Sequence, residues 1–206
     1  MTADAQAARE DLAFLRGLVD EDWRPGLRFF GATYAAIGAA IFAQVAVQWA
    51  VDTGLLALPD GAILIWIVLV WGVYTVVQTL LPRWMPAARA VGLRNRVTGG
   101  AFIGMIASHL TMLAVFVIVA VRTESPILVP IAALSFFAMQ GGMWIVFNAI
   151  RPGRGQLAHA FGWLAAALGC AFLIGSPHFA GAIGLVALAL MVAPGLSMMR
   201  AARAPD

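Results

Sequence analysis

Residues 156–199 read QLAHAFGWLAAALGCAFLIGSPHFAGAIGLVALALMVAPGLSMM, without one Asp, Glu, Lys or Arg. As a single α-helix these 44 residues would extend about 66 Å, more than twice the roughly 30 Å hydrocarbon core of a bilayer. Ser176-Pro177-His178 offers the break. Serine can cap orphan N–H groups and proline suits a first helical turn. The stretch is therefore predicted to be a hairpin of two spans, 156–175 and 178–199, and this choice decides on which side the C-terminal tail lies.

Working outward, four more apolar runs reach spanning length: about 29–51, 62–81, 98–121 and 126–150. Roughly 20 such residues cross a bilayer. Of the 206 residues, 62% are hydrophobic and only 11% charged, too few charges to cover a soluble domain of this size. The sequence predicts an all-α integral membrane bundle of six spans, built as three hairpins. Residues 1–28 form a cytoplasmic amphipathic helix and an Arg24-Pro25-Gly26 linker, 29–199 the spans, and 200–206 a tail.

Orientation follows from arginine, since basic residues stay on the cytoplasmic side. All thirteen basic residues are Arg. Arg9, Arg16, Arg24, Arg28, Arg83, Arg89, Arg94, Arg96, Arg151, Arg154, Arg200 and Arg203 fall on one side of this topology, and Arg122 alone on the other. Both termini are thus expected in the cytoplasm. The absence of Lys reads either as genomic base composition or as selection for the planar fork of Arg at headgroup phosphates. The arginines form no stripe, so nucleic acid is not an expected partner.

Residues 3–23 place Leu12, Leu15 and Val19 on one face, with Phe14 and Leu18 beside them. Two arginines against six acids, among them Asp20, Glu21 and Asp22, make this segment strongly acidic. It reads as a surface helix that docks on the 82–97 loop (Arg83, Arg89, Arg94, Arg96) or on a basic partner. The first 22 residues are too acidic for a cleaved signal peptide.

Small residues mark three of the spans: Gly31, Ala32, Ala35 and Ala39 in the first, Gly100, Gly104 and Ser108 in the third, Gly162 and Ala166 in the fifth. Four-residue spacing of small side chains lets helix backbones approach closely. Spans one, three and five are therefore expected to make the tight inner contacts, and the bulky second span to face lipid. Gly141-Gly142 either loosens the fourth span or packs closely, and Pro194 predicts a kink or early end of the sixth. Trp49, Trp84, Trp144 and Trp163 are expected in the interfacial aromatic belts.

No Asp, Glu, Lys or Arg lies well inside a predicted span. Coupled transporters and membrane hydrolases place such groups there, so an enzyme is not expected. His109, near mid-membrane, is the functional candidate, with Gln140 at similar depth and Ser108, Thr111 and Ser135 nearby. Its competing role is a neutral histidine bonded to Gln140 in a dry helix contact. His159 lies near the inner surface and His178 on the opposite side, so no bis-histidine haem is expected. The single cysteine, Cys170, has no second thiol and reads as a packing residue. No cofactor or metal is implied.

The segment Glu10-Asp11-Leu12-Ala13-Phe14-Leu15-Arg16 resembles the EDLxFxR segment that precedes the first span in a group of small uncharacterised bacterial membrane proteins. The resemblance covers this segment and the general layout. It implies a bacterial inner membrane and carries no activity. Two functions are then expected to compete. One is a non-catalytic accessory subunit that binds a membrane partner, or itself, through small-residue helix faces and the acidic helix. The other is a small oligomeric channel or uniporter for a neutral or anionic solute, lined by His109 and Gln140.

Overall fold

The computed structural model describes residue 6 and residues 24–59, 61–85, 93–150, 152 and 154–203, with the backbone alone at 24, 25, 93–99 and 154. The expected N-terminal surface helix, with Asp20, Glu21 and Asp22, lies outside these residues apart from residue 6, as does Arg89. Among the described residues there is no strand.

The helices are α1 (Arg24–Asp52), α2 (Ala62–Trp84), α3 (Leu93–Thr123), α4 (Leu128–Ile150), α5 (Arg154–Ala171), α6 (Phe179–Ala187) and α7 (Ala193–Ala201). A π turn, Leu188–Val192, joins α6 to α7 in one continuous rod. Among the described residues five stretches are long and apolar enough to cross a membrane: Gly26–Asp52, Ala62–Trp84, Gly100–Thr123, Leu128–Ile150 and Phe179–Ala201. Helix α5 falls below that apolarity because Arg154, Gln156 and His159 occupy its first two turns. It ends at Ala171, short of the expected 175, in a turn where Gly175 takes φ 83°, a left-handed angle that favours glycine. The apolar stretch 156–199 is thus broken into two helices.

Helix α1 is the centre of one layer. It runs antiparallel to α2, with Trp71 Nε1 donating to Gln44 Oε1 and Trp66 Nε1 to the Ala43 carbonyl, 3.1 Å. On its other side it runs antiparallel to α6–α7 at backbone distance. A Cβ on Gly195 would sit 2.6 Å from the Gly31 carbonyl oxygen and 2.7 Å from the Ala35 nitrogen. One on Gly38 would meet the Met191 Cβ at 2.5 Å, and one on Gly181 the Trp49 ring at 2.8 Å. Helices α3, α4 and α5 form the second layer. Gly141 lies against Ala160 and Leu164 of α5, so this glycine serves close packing, and α4 runs on without a break.

Two sequence expectations are corrected. Span three is peripheral rather than inner. Among its described side chains only Met105 and Ala120 are buried, and a Cβ on Gly100 or Gly104 would meet nothing within 4 Å. The tight glycine contacts join α1 to the rod α6–α7 and α4 to α5, where another helix stands directly opposite the glycine. The third hairpin is also splayed: α5 packs chiefly on α4, and α6–α7 chiefly on α1. Span two is largely exposed, as expected.

The ends of the bundle are chemically unlike. Arg28, Arg83, Arg200 and Arg203 lie at the end formed by the start of α1 and the finish of α2 and α7. Arg122, Glu124, Asp52 and His178 lie at the other.

Gly195→Ala should lower the melting temperature in detergent by several degrees, since the added methyl meets backbone that cannot yield; overpacking of this kind costs about 1–3 kcal/mol. Gly72→Ala, where the new atom meets nothing within 4 Å, should be neutral or slightly stabilising.

Candidate functional site

The polar centre of the protein is a four-residue cluster where the two layers meet. Tyr34 of α1, Trp144 of α4, and His159 and Trp163 of α5 share one network. Trp144 Nε1 donates to the Tyr34 hydroxyl oxygen at 3.1 Å. Trp163 Nε1 divides its proton between that oxygen, 3.2 Å, and His159 Nε2, 3.2 Å. The hydroxyl faces His159 Nε2 at 3.5 Å. Tyr34 and Trp163 are essentially inaccessible. Phe30 stacks on Tyr34 with ring centroids 5.6 Å apart, Trp144 meets His159 edge-on at 4.4 Å, and Phe137 closes on Trp163 at 5.1 Å.

Local sequence explains the arrangement. His159 and Trp163 are four residues apart and so share a face of α5. His159 also bonds the backbone of Leu190. Pro194 has no N–H, so in an α-helix the carbonyl of Leu190 would lose its donor. The π turn over Leu188–Val192 and the histidine bond accommodate that loss, and the rod continues to Ala201 instead of ending at the proline. With the histidine donating to Leu190, Nε2 is the acceptor of a neutral ring. Three donors (two indoles and the hydroxyl) then meet three acceptor positions, two on the Tyr34 oxygen and one on Nε2.

The sequence-predicted site is placed differently. His109 of α3 is half-buried with its ring against Phe136, centroids 4.4 Å apart. Gln140 is 1% exposed. Neither His109 Nδ1 nor Gln140 Oε1 has a hydrogen-bond partner among the described residues. Ser135 donates to its own helix at the Ala132 carbonyl, 2.7 Å, while Ser108 and Thr111 are exposed on the outer side of α3. His109 thus meets α4 at Phe136, Gln140 is buried one turn further along α4, and the serines do not join them. Arg83 is exposed at the end of α2; the side chains of Arg94 and Arg96 are outside the described set.

Trp144 and Trp163, expected in the belts, are not there; Trp163 lies at the middle of α5. Both are buried, because their indole N–H groups find partners inside the bundle rather than at the headgroups. Tyr34 was not singled out by sequence reasoning. Its signal is that it alone is bulky and polar in the Ala/Gly-rich middle of span one, where a large side chain must fill space that its neighbours leave. Among the described residues no three His, Cys, Asp or Glu side chains converge as metal ligands would.

Set against known family models, characterised proteins and solved structures, the chain matches none.

Tyr34→Phe should destabilise the protein by about 1–3 kcal/mol, because the buried indole of Trp144 loses its acceptor while Trp163 keeps His159 Nε2. The check is thermal unfolding in detergent, with an expected drop of roughly 5–10 °C. His159→Phe should cost more in the Tyr34→Phe background than alone, because it then removes the last acceptor of Trp163 Nε1.

Proposed function

We propose that this chain is a six-span protein of a bacterial inner membrane, both ends cytoplasmic, acting as a non-catalytic accessory subunit that binds a membrane partner through its third helix. A sixth crossing is supported by register. Gly31 of α1 lies beside Gly195 of α7, and Trp49 beside Gly181 of α6. The start of α1 and the finish of α7 therefore share a side. Five crossings would part them, which supports a crossing by α5 as well. Its 18 residues reach about 27 Å, close to the thickness of the hydrocarbon core. The grouping of Arg28, Arg83, Arg200 and Arg203 at that end supports its facing the cytoplasm.

The observation that carries the accessory reading is the outward turn of the small-residue row on α3. Gly100, Gly104 and Ser108 are exposed, flanked by exposed Ile103 and Leu110, and a Cβ on either glycine would meet nothing within 4 Å among the described residues. A row that serves no contact among the described residues is suited to one with a partner. The closed Tyr34 network supports the same reading, because its donors and acceptors are already matched to each other. The acidic segment 3–23 adds a second, cytoplasmic contact for the partner.

Single cysteines placed at Leu55 and at Arg203, in a Cys170→Ser background, should react with an impermeant thiol reagent from opposite faces of the membrane, Leu55 from outside. Reaction of both from one face would contradict the topology. Native mass spectrometry from lipid nanodiscs should show a partner or second copy that is lost in Gly104→Leu, with the melting temperature unchanged. Association that survives Gly104→Leu would remove α3 as the binding face; removal of residues 1–22 tests the acidic contact in the same assay.

A further inference from the structure

Most polar side chains described inside the bundle are paired: Gln44 with Trp71, Trp66 with a carbonyl, Tyr34 with two indoles. The buried atoms without a partner fall in two groups. Arg28 Nε, Gln78 Nε2 and Gln156 Oε1 lie toward the arginine-rich end, within reach of headgroups. Gln140 Oε1 and His109 Nδ1 do not. Both residues are near the midpoints of their helices, in the depth where an unmatched polar group is most costly.

Helices α3 and α4 are antiparallel, joined by a short turn, and the His109 ring rests on Phe136 at 4.4 Å. Gln140 is one helical turn along α4 from Phe136, about 6 Å. One small group between the helices can therefore meet both side chains. Its chemistry is constrained. Gln140 Oε1 only accepts, so the group must donate to it. His109 Nδ1 donates or accepts by tautomer. A hydroxyl satisfies both, giving its proton to Gln140 and pairing its oxygen with the imidazole. We propose that His109 and Gln140 hold a hydroxyl group at mid-membrane, from water or from the head of an amphiphile entering past the exposed Ser108 and Thr111 face of α3. The site lies on the α4 side of α3, and only its entry adjoins the proposed partner face, at Ser108.

Thermal unfolding of Gln140→Met, His109→Leu and the double variant tests it. Each single change should lower the melting temperature by roughly 3–8 °C, because the hydroxyl loses one anchor. The double should lose no more than the worse single, as for groups sharing one ligand. A higher melting temperature in Gln140→Met, the result for an unmatched amide replaced by an apolar isostere, would overturn the site, and so would additive losses. Native mass spectrometry before and after exhaustive delipidation separates the sources. A retained amphiphile present in the wild type and lost in Gln140→Met assigns the hydroxyl to lipid. The same melting pattern with no adduct assigns it to water.

Discussion

Two backbones can lie against each other only where neither carries a side chain at the crossing, and that condition is met between Gly31 and Gly195. The contact fixes the rod α6–α7 on α1, antiparallel and close enough that a single methyl would strike carbonyl oxygen or amide nitrogen. Apolar lipid gives helices no hydrophobic reason to associate, so such shape matching has to supply much of the attraction. With α1 anchored on one side by α7 and on the other by the indoles of α2, its third face is left for the second layer. Phe30 and Tyr34 occupy that face, and the cluster with Trp144, His159 and Trp163 is built on them.

A polar group within the bilayer cannot turn to water, and this governs how each one is disposed. The Leu190 carbonyl, deprived of a donor by Pro194, is met by His159 from another helix. Pro194 in the rod α6–α7 and His159 in α5 are therefore parts of one solution, although 35 residues separate them in the chain, from 159 to 194. The same constraint makes the tyrosine oxygen an effective junction: its two acceptor positions tie α1, α4 and α5 together at one point.

The class of fold was legible because membrane helices announce themselves by length, and the ends of the bundle by arginine. The break at Ser176–His178 could be found from bilayer thickness alone. Partner choice could not. Gly100 and Gly104 have the same spacing signature as Gly31 and Ala35, yet only the latter meet a helix within the chain, since complementarity depends on what stands opposite and a periodic pattern does not record it. For the same reason His109 was visible as a deep polar residue, while Tyr34 and His159, ordinary in isolation, gained meaning only when α1 and α5 were brought side by side. Trp144 and Trp163 misled because position along a span specifies depth and leaves the direction of the side chain open.

The pairing of α1 with the C-terminal rod has a consequence for how the chain is made. Gly31 waits for Gly195, 164 positions later. At typical synthesis rates of about 5–20 residues per second that is an interval of roughly 10–30 s. Throughout it α1 has its glycine face turned to lipid or to the insertion machinery. The rod that emerges later is the one that covers it. Assembly of this pair is therefore a closing step rather than a progressive one, and a chain that stops short of α7 leaves α1 without its main neighbour.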